Sequence, residues 1–151
     1  MYQIWNKVLF PLFLSTLSSC TLASYSDAEL RDELNNFAMR AIAKFRFPRV
    51  KLDYEFDCCG NGVFLYDVTM AEIEVIISWM KVIWLEYQLS KERNYENLYA
   101  DKDVKAFSSG NLISSIVKAL ESMTTAARKT EEFYYRSNNG TPTIGDVNAD
   151  E

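Results

Sequence analysis

Histidine is missing from all 151 residues. Without imidazole there is no Ser-His-Asp or Cys-His catalytic pair, no histidine zinc ligand and no histidine proton shuttle. An enzyme built on this chain would depend on paired carboxylates, lysine, tyrosine or a bare cysteine. Clusters of lysine and arginine are also lacking, and the formal net charge is −5. With nothing to attract phosphate, nucleic-acid binding is excluded as the expected job. Cysteine is scarce, at Cys20, Cys58 and Cys59 only. No apolar run reaches the roughly 20 residues of a membrane-spanning helix, and no internal repeat is present.

What remains is a chain for one folded domain. Its length suits a single core, and 48% apolar residues with 14% aromatics exclude a disordered chain. Ser26-Asp27-Ala28-Glu29 has the pattern of a capping box, in which a serine and a glutamate reciprocally satisfy the first free N–H groups of a helix. Leu30, Leu34, Phe37, Ala38, Ala41, Ile42 and Phe45 then recur at helical steps, and Pro48 ends the run. From Val50 the period becomes two: Val50, Leu52, Tyr54 and Phe56 alternate with Lys51, Asp53, Glu55 and Asp57. Cys58-Cys59-Gly60-Asn61-Gly62 reads as a turn, and Val63 to Val68 as the returning strand.

Thr69-Met70-Ala71-Glu72 repeats the capping box. The helix behind it is apolar over most of its circumference, leaving Glu74, Ser78, Lys81, Leu85 and Gln88 as an outward strip. Such a helix belongs at the centre of a domain. A last helix carries Ile113, Ile116, Val117, Leu120, Met123 and Ala127 and closes on Glu131-Glu132-Phe133-Tyr134-Tyr135-Arg136. The predicted fold is α+β and mostly helical: an N-terminal helix, a β-hairpin, a long central helix and a C-terminal helix. Its expected limits are 26–136, with a loose acidic tail over 137–151.

The first twenty residues read as an address. Lys7 is followed by an apolar stretch from Val8 to Leu14, then by Leu17-Ser18-Ser19-Cys20. A basic start, an apolar core of about ten residues and small residues before a cut form the pattern of a removable export signal. The four closing residues resemble the lipobox of bacterial lipoproteins. That resemblance implies removal of residues 1–19, diacylation of Cys20 and a short tether over 20–25. Thr21, where an Asp would favour the inner membrane, implies an outer-membrane lipoprotein facing the periplasm. Several acyl chains suffice for stable anchoring, so the domain would be tethered beside the bilayer. Thr21-Leu22-Ala23 offers the alternative of a soluble-protein cut before Ser24.

Candidate sites follow from chemistry. Cys58 and Cys59 are adjacent, and consecutive Cα atoms about 3.8 Å apart fall below the usual disulfide range of about 4.4–6.8 Å. A bond between them would be strained and reducible; a plain turn is the simpler reading, and a bridge to another molecule a further one. Asp53, Glu55 and Asp57 form an acidic row suited to a basic partner, or to keeping an edge strand from pairing with another chain. Phe133, Tyr134 and Tyr135 cannot all face inward from one helix, so at least one is expected at the surface as a contact for a partner or a second protomer. Asp101-Lys102-Asp103 lacks the later ligands of a calcium loop. No metal and no cofactor is expected.

The expected function is therefore non-enzymatic. An exported lipoprotein would bind a partner protein at the cell envelope, as an assembly factor of a secretion, pilus or conjugation system or as an immunity or exclusion protein. The alternative is a small-molecule or lipid-binding envelope protein that uses the region of Trp79 and Trp84.

Overall fold

The computed structural model describes residues 3–17, 25–99 and 109–138. Cys20 with the tether as far as 24, the connection 100–108 and the tail from 139 lie outside the described residues. In chain order the elements are β1 (Gln3–Ile4), α1 (Leu9–Ser15), α2 (Asp27–Lys44), β2 (Tyr54–Phe56), β3 (Gly62–Phe64), α3 (Met70–Tyr99) and α4 (Ser109–Asn138).

The first capping box forms in full, and the second in one direction only. Ser26 Oγ accepts the Glu29 N–H at 3.4 Å, while the Glu29 carboxylate takes the Ser26 N–H at 3.0 Å. Those bonds from Ser26 hold the Glu29 carboxyl below its usual range. The helix they open buries Leu34, Phe37, Ala38 and Ala41, and it ends at Phe45, whose backbone is extended. At the second box Glu72 accepts from both the N–H and the hydroxyl of Thr69. The following helix, α3, lies at the centre, with α1, α2 and α4 packed against it. Ile73, Val75, Ile76, Ile77, Trp79, Met80, Val82, Ile83 and Leu89 are buried, so the almost wholly apolar helix takes the central place its composition predicts. Among the described residues no helix is long and apolar enough to cross a membrane.

The hairpin is shorter than the sequence suggests. β2 and β3 pair antiparallel with Tyr54 opposite Phe64 and Phe56 opposite Gly62; the Leu65 N–H adds a bond to the Asp53 carbonyl at 2.9 Å. Pairing stops there because β3 has only three residues. Its turn is fastened by Asp57, whose carboxylate accepts from the Cys59 and Asn61 N–H groups, both at 2.8 Å, and from Asn61 Nδ2 at 2.9 Å. Gly60 takes φ +78°, a conformation open to glycine without steric cost. Its carbonyl is held by Asn35 Nδ2 of α2 at 2.8 Å.

A third strand completes the sheet. β1 pairs antiparallel with β3, Gln3 opposite Phe64 and Ile4 opposite Val63, giving the order β1-β3-β2. Trp5, Leu9 and Phe13 are fully buried and Phe10 nearly so. The packed body thus includes residues 3–17, N-terminal to the limits expected from periodicity.

Candidate functional site

Where α2 ends, its last turn faces the middle of α3 and the C-terminal half of α4 across an open cleft of about 850 Å³. Each helix delivers a different chemistry. Lys44 and Arg46 come from the end of α2, Trp79 and Glu86 from α3, and Arg128, Glu131 and Tyr135 from α4. Phe47 extends from the segment that follows α2 and packs at the rim against Tyr135, the rings tilted by 54° with centroids 6.0 Å apart. These two rings are 64% and 51% exposed.

The polar groups of the floor are largely satisfied internally. Glu131 accepts the Trp79 indole N–H at 3.2 Å and the Arg46 backbone N–H at 2.8 Å. Glu86 pairs with Arg40 at 2.9 Å and Lys44 at 3.5 Å, and the Lys44 ammonium lies 5.6 Å from the centre of the Trp79 ring. The guanidinium groups of Arg46 and Arg128 form no ion pair among the described residues. The cleft therefore offers two exposed aromatic rings beside two uncommitted cations.

Below the rim, Tyr134 locks three elements together. Its hydroxyl donates to Glu72 Oε1 at 2.7 Å and accepts the Arg49 N–H at 3.1 Å, and its ring packs edge-on against Phe45 at 5.3 Å. Burial pushes the Glu72 carboxyl up, but the hydrogen bonds from Thr69 and Tyr134 outweigh it, and the net shift is downward. Burial, and then the bond to Glu72, push the Tyr134 hydroxyl up.

The candidates from sequence are scattered. Of the aromatic triplet, Phe133 (74% exposed) and Tyr135 reach the surface, whereas Tyr134 (4%) is unavailable to a partner. Helical phase explains the split: Ile113, Leu120, Ala127 and Tyr134 recur every seventh residue on one stripe, while positions 133 and 135 lie on either side of it. That spacing was a legible signal for the burial of Tyr134. Glu55 is exposed on the edge strand β2 and Asp53 immediately before it, as edge guards would be. Asp57 is turned into its own turn, and its bonds to Asn61, first of all, hold its carboxyl below the usual range. None of these three acids lines the cleft.

Cys58 and Cys59 are exposed, unbridged thiols with sulfurs 3.9 Å apart. The hydrogen bond and charge of Cys58, followed by the charge of Asp57, push the Cys59 thiol up, away from the reactive thiolate. Cys20 lies outside the described residues. Trp79 lines the cleft; Trp84 does not. No local pattern marks Phe47, Arg46 or Arg128 as site residues: Arg46 reads as a cation complementing the end of α2, Phe47 follows that helix, and Arg128 lies off the apolar stripe of α4. Among the described residues no group of three or more acidic or cysteine side chains is placed to hold a metal ion. No family model, no curated protein and no solved structure matches the chain.

Proposed function

We propose that the protein works by binding another protein through the cleft rimmed by Phe47 and Tyr135. The observation that carries this reading is the exposed aromatic pair set beside the uncommitted Arg46 and Arg128 guanidiniums. Aromatic and arginine side chains dominate the energetics of protein interfaces: rings bury large areas at small cost in rotamer entropy, and a guanidinium brings several donors in a fixed fork. The partner would present an apolar anchor flanked by acidic residues. This differs from the basic partner suggested by the row Asp53, Glu55 and Asp57: in the cleft the Glu131 carboxylate is taken up by hydrogen bonds from Trp79 and Arg46, and the two guanidiniums have no ion pair. The reading depends on the cleft alone, wherever the protein is delivered.

A photoreactive benzoylphenylalanine at position 135, compared with one at Lys118, tests it in the producing cell. A crosslinked adduct of one mass from position 135, absent from 118 and lost on Arg128→Glu, is expected. A folded protein that yields no adduct from 135 or from 47 overturns the reading. One observation favours a second use. A cleft of about 850 Å³ with Trp79 in its wall falls within the range of small-molecule sites, about 300–1,000 Å³. A bound small molecule would change indole fluorescence without giving a protein adduct.

A further inference from the structure

We infer that residues 3–17, although leader-like in sequence, are a permanent part of the working protein: the strand and helix that close its core. This reverses the processing implied by Leu17-Ser18-Ser19-Cys20, and it is independent of the partner reading.

Trp5, Leu9 and Phe13 are four residues apart and all fully buried, while Pro11, Leu12 and Ser15 face outward. Phe10 is buried beside Leu9 and Phe13, so α1 has a buried face and an outward one, with Trp5 buried one turn ahead of it; an export signal needs only general apolarity, whereas a core helix needs such a face. The second step is complementarity. A Cβ on Gly62 would come within 2.2 Å of the Trp5 ring, so the indole lies on bare backbone that no other residue type would leave open. Tyr54 and Phe64 complete its bed at ring-centroid distances of 4.9 and 5.4 Å. The third step is the backbone. The Trp5 N–H donates to the Gly62 carbonyl at 2.9 Å, extending the β1–β3 ladder, and Gln3 Oε1 accepts the Val68 N–H at 3.2 Å. Loss of residues 1–19 would uncover one edge of β3 and strip the aromatic bed of its indole.

The test has two arms, both on the full chain. Protein recovered from producing cells is analysed by intact mass and N-terminal sequencing. Residues 3–17 still attached, with Cys20 unacylated, are expected; a chain beginning at an acylated Cys20, or at Ser24, overturns the inference. Thermal melts of Gly62→Ala are then compared in the Trp5 and Trp5→Leu backgrounds. A large fall in Tm with Trp5 present, and a much smaller one with Trp5→Leu, is expected. Equal falls in both backgrounds would show that the indole does not rest on Gly62 and would overturn the packing. Should Trp5→Leu not fold, Trp5→Phe takes its place under the same criterion.

Discussion

Two short aromatic stretches stand at opposite ends of this chain and are treated in opposite ways. Residues 5–13 carry Trp5, Phe10 and Phe13, and all three are buried. Residues 133–135 carry three consecutive aromatics, of which only Tyr134 is buried. Hydrophobicity alone does not separate them; what each ring meets does. Trp5 finds a glycine bed and a sheet face, Phe10 packs on Trp5 and Phe13 on Phe37 of α2, whereas Phe133 and Tyr135 flank the stripe by which α4 docks and stay exposed. The exposed pair is then free for another molecule, and the buried set is committed to the fold.

The strongest way to break this contrast is Trp5→Ala. Removing a fully buried indole is expected to cost about 3–5 kcal/mol, the range for large core truncations. Urea denaturation of the full chain measures it. A loss below about 0.5 kcal/mol, within the ordinary spread of surface changes, would make the N-terminal segment an ornament, and the two stretches would be alike after all.

Tyr134→Phe comes next, because it tests the one ring of the C-terminal triplet that behaves like the N-terminal set. The phenyl ring keeps its contact with Phe45, but Glu72 loses a donor and the Arg49 N–H loses its acceptor. Hydrogen bonds to charged groups put the cost at about 1.5–3 kcal/mol. The same link has a pH signature. The folded Glu72 carboxyl lies below its unfolded value of 4.5, so its contribution is fully present above that pH and is lost as pH falls through the lowered folded value. Glu72→Gln should therefore flatten the acid limb of a stability-versus-pH curve. An unchanged limb would point to Glu29 and Asp57, the other lowered carboxyls among the described residues, as the source of the acid loss.

Why part of this was legible in sequence, and part was not, follows from the range of each interaction. The capping bonds at Ser26–Glu29 and Thr69–Glu72 are local, so four residues specify them. The central place of α3 follows from its composition, since a helix apolar nearly all round has nowhere else to go. β1 is different. Gln3 and Ile4 pair with residues some sixty positions away, and the apolar run behind them fits a leader as well as a core. Local pattern therefore had no means of choosing. The cleft was hidden for a related reason: Phe47 and Arg46 lie just past a helix end, and only the tertiary approach of α4 gives them a neighbour.

Gly60→Ala sharpens the comparison from a third side, because β3, the bed of the N-terminal segment, is delivered by this turn. Holding alanine at φ +78° is expected to cost about 1–2 kcal/mol. The nearest side chain, Arg31, would be 3.7 Å from the new Cβ, so the loss would come from the backbone and not from a clash. Gly60→Asn, which tolerates this region better, should recover part of it. Equal losses for both would point to the side chains around the turn instead.

The smallest effect on stability is expected from Phe133→Ser, and it is the most instructive about the exposed stretch. At 74% exposure the ring contributes little to the core, and the change should stay within about 0.5 kcal/mol. Phe47→Ser should cost somewhat more, because it also removes the ring contact with Tyr135. If both variants keep the parental Tm but only Phe47→Ser weakens crosslinking from position 135, the binding surface is confined to the cleft rim and Phe133 stands outside it. If both weaken it, the surface runs on around α4 and the interface is broader than the cleft. A marked loss of stability in Phe133→Ser would mean that this ring is packed after all, and the division between a committed N-terminal set and an available C-terminal pair would no longer describe the molecule.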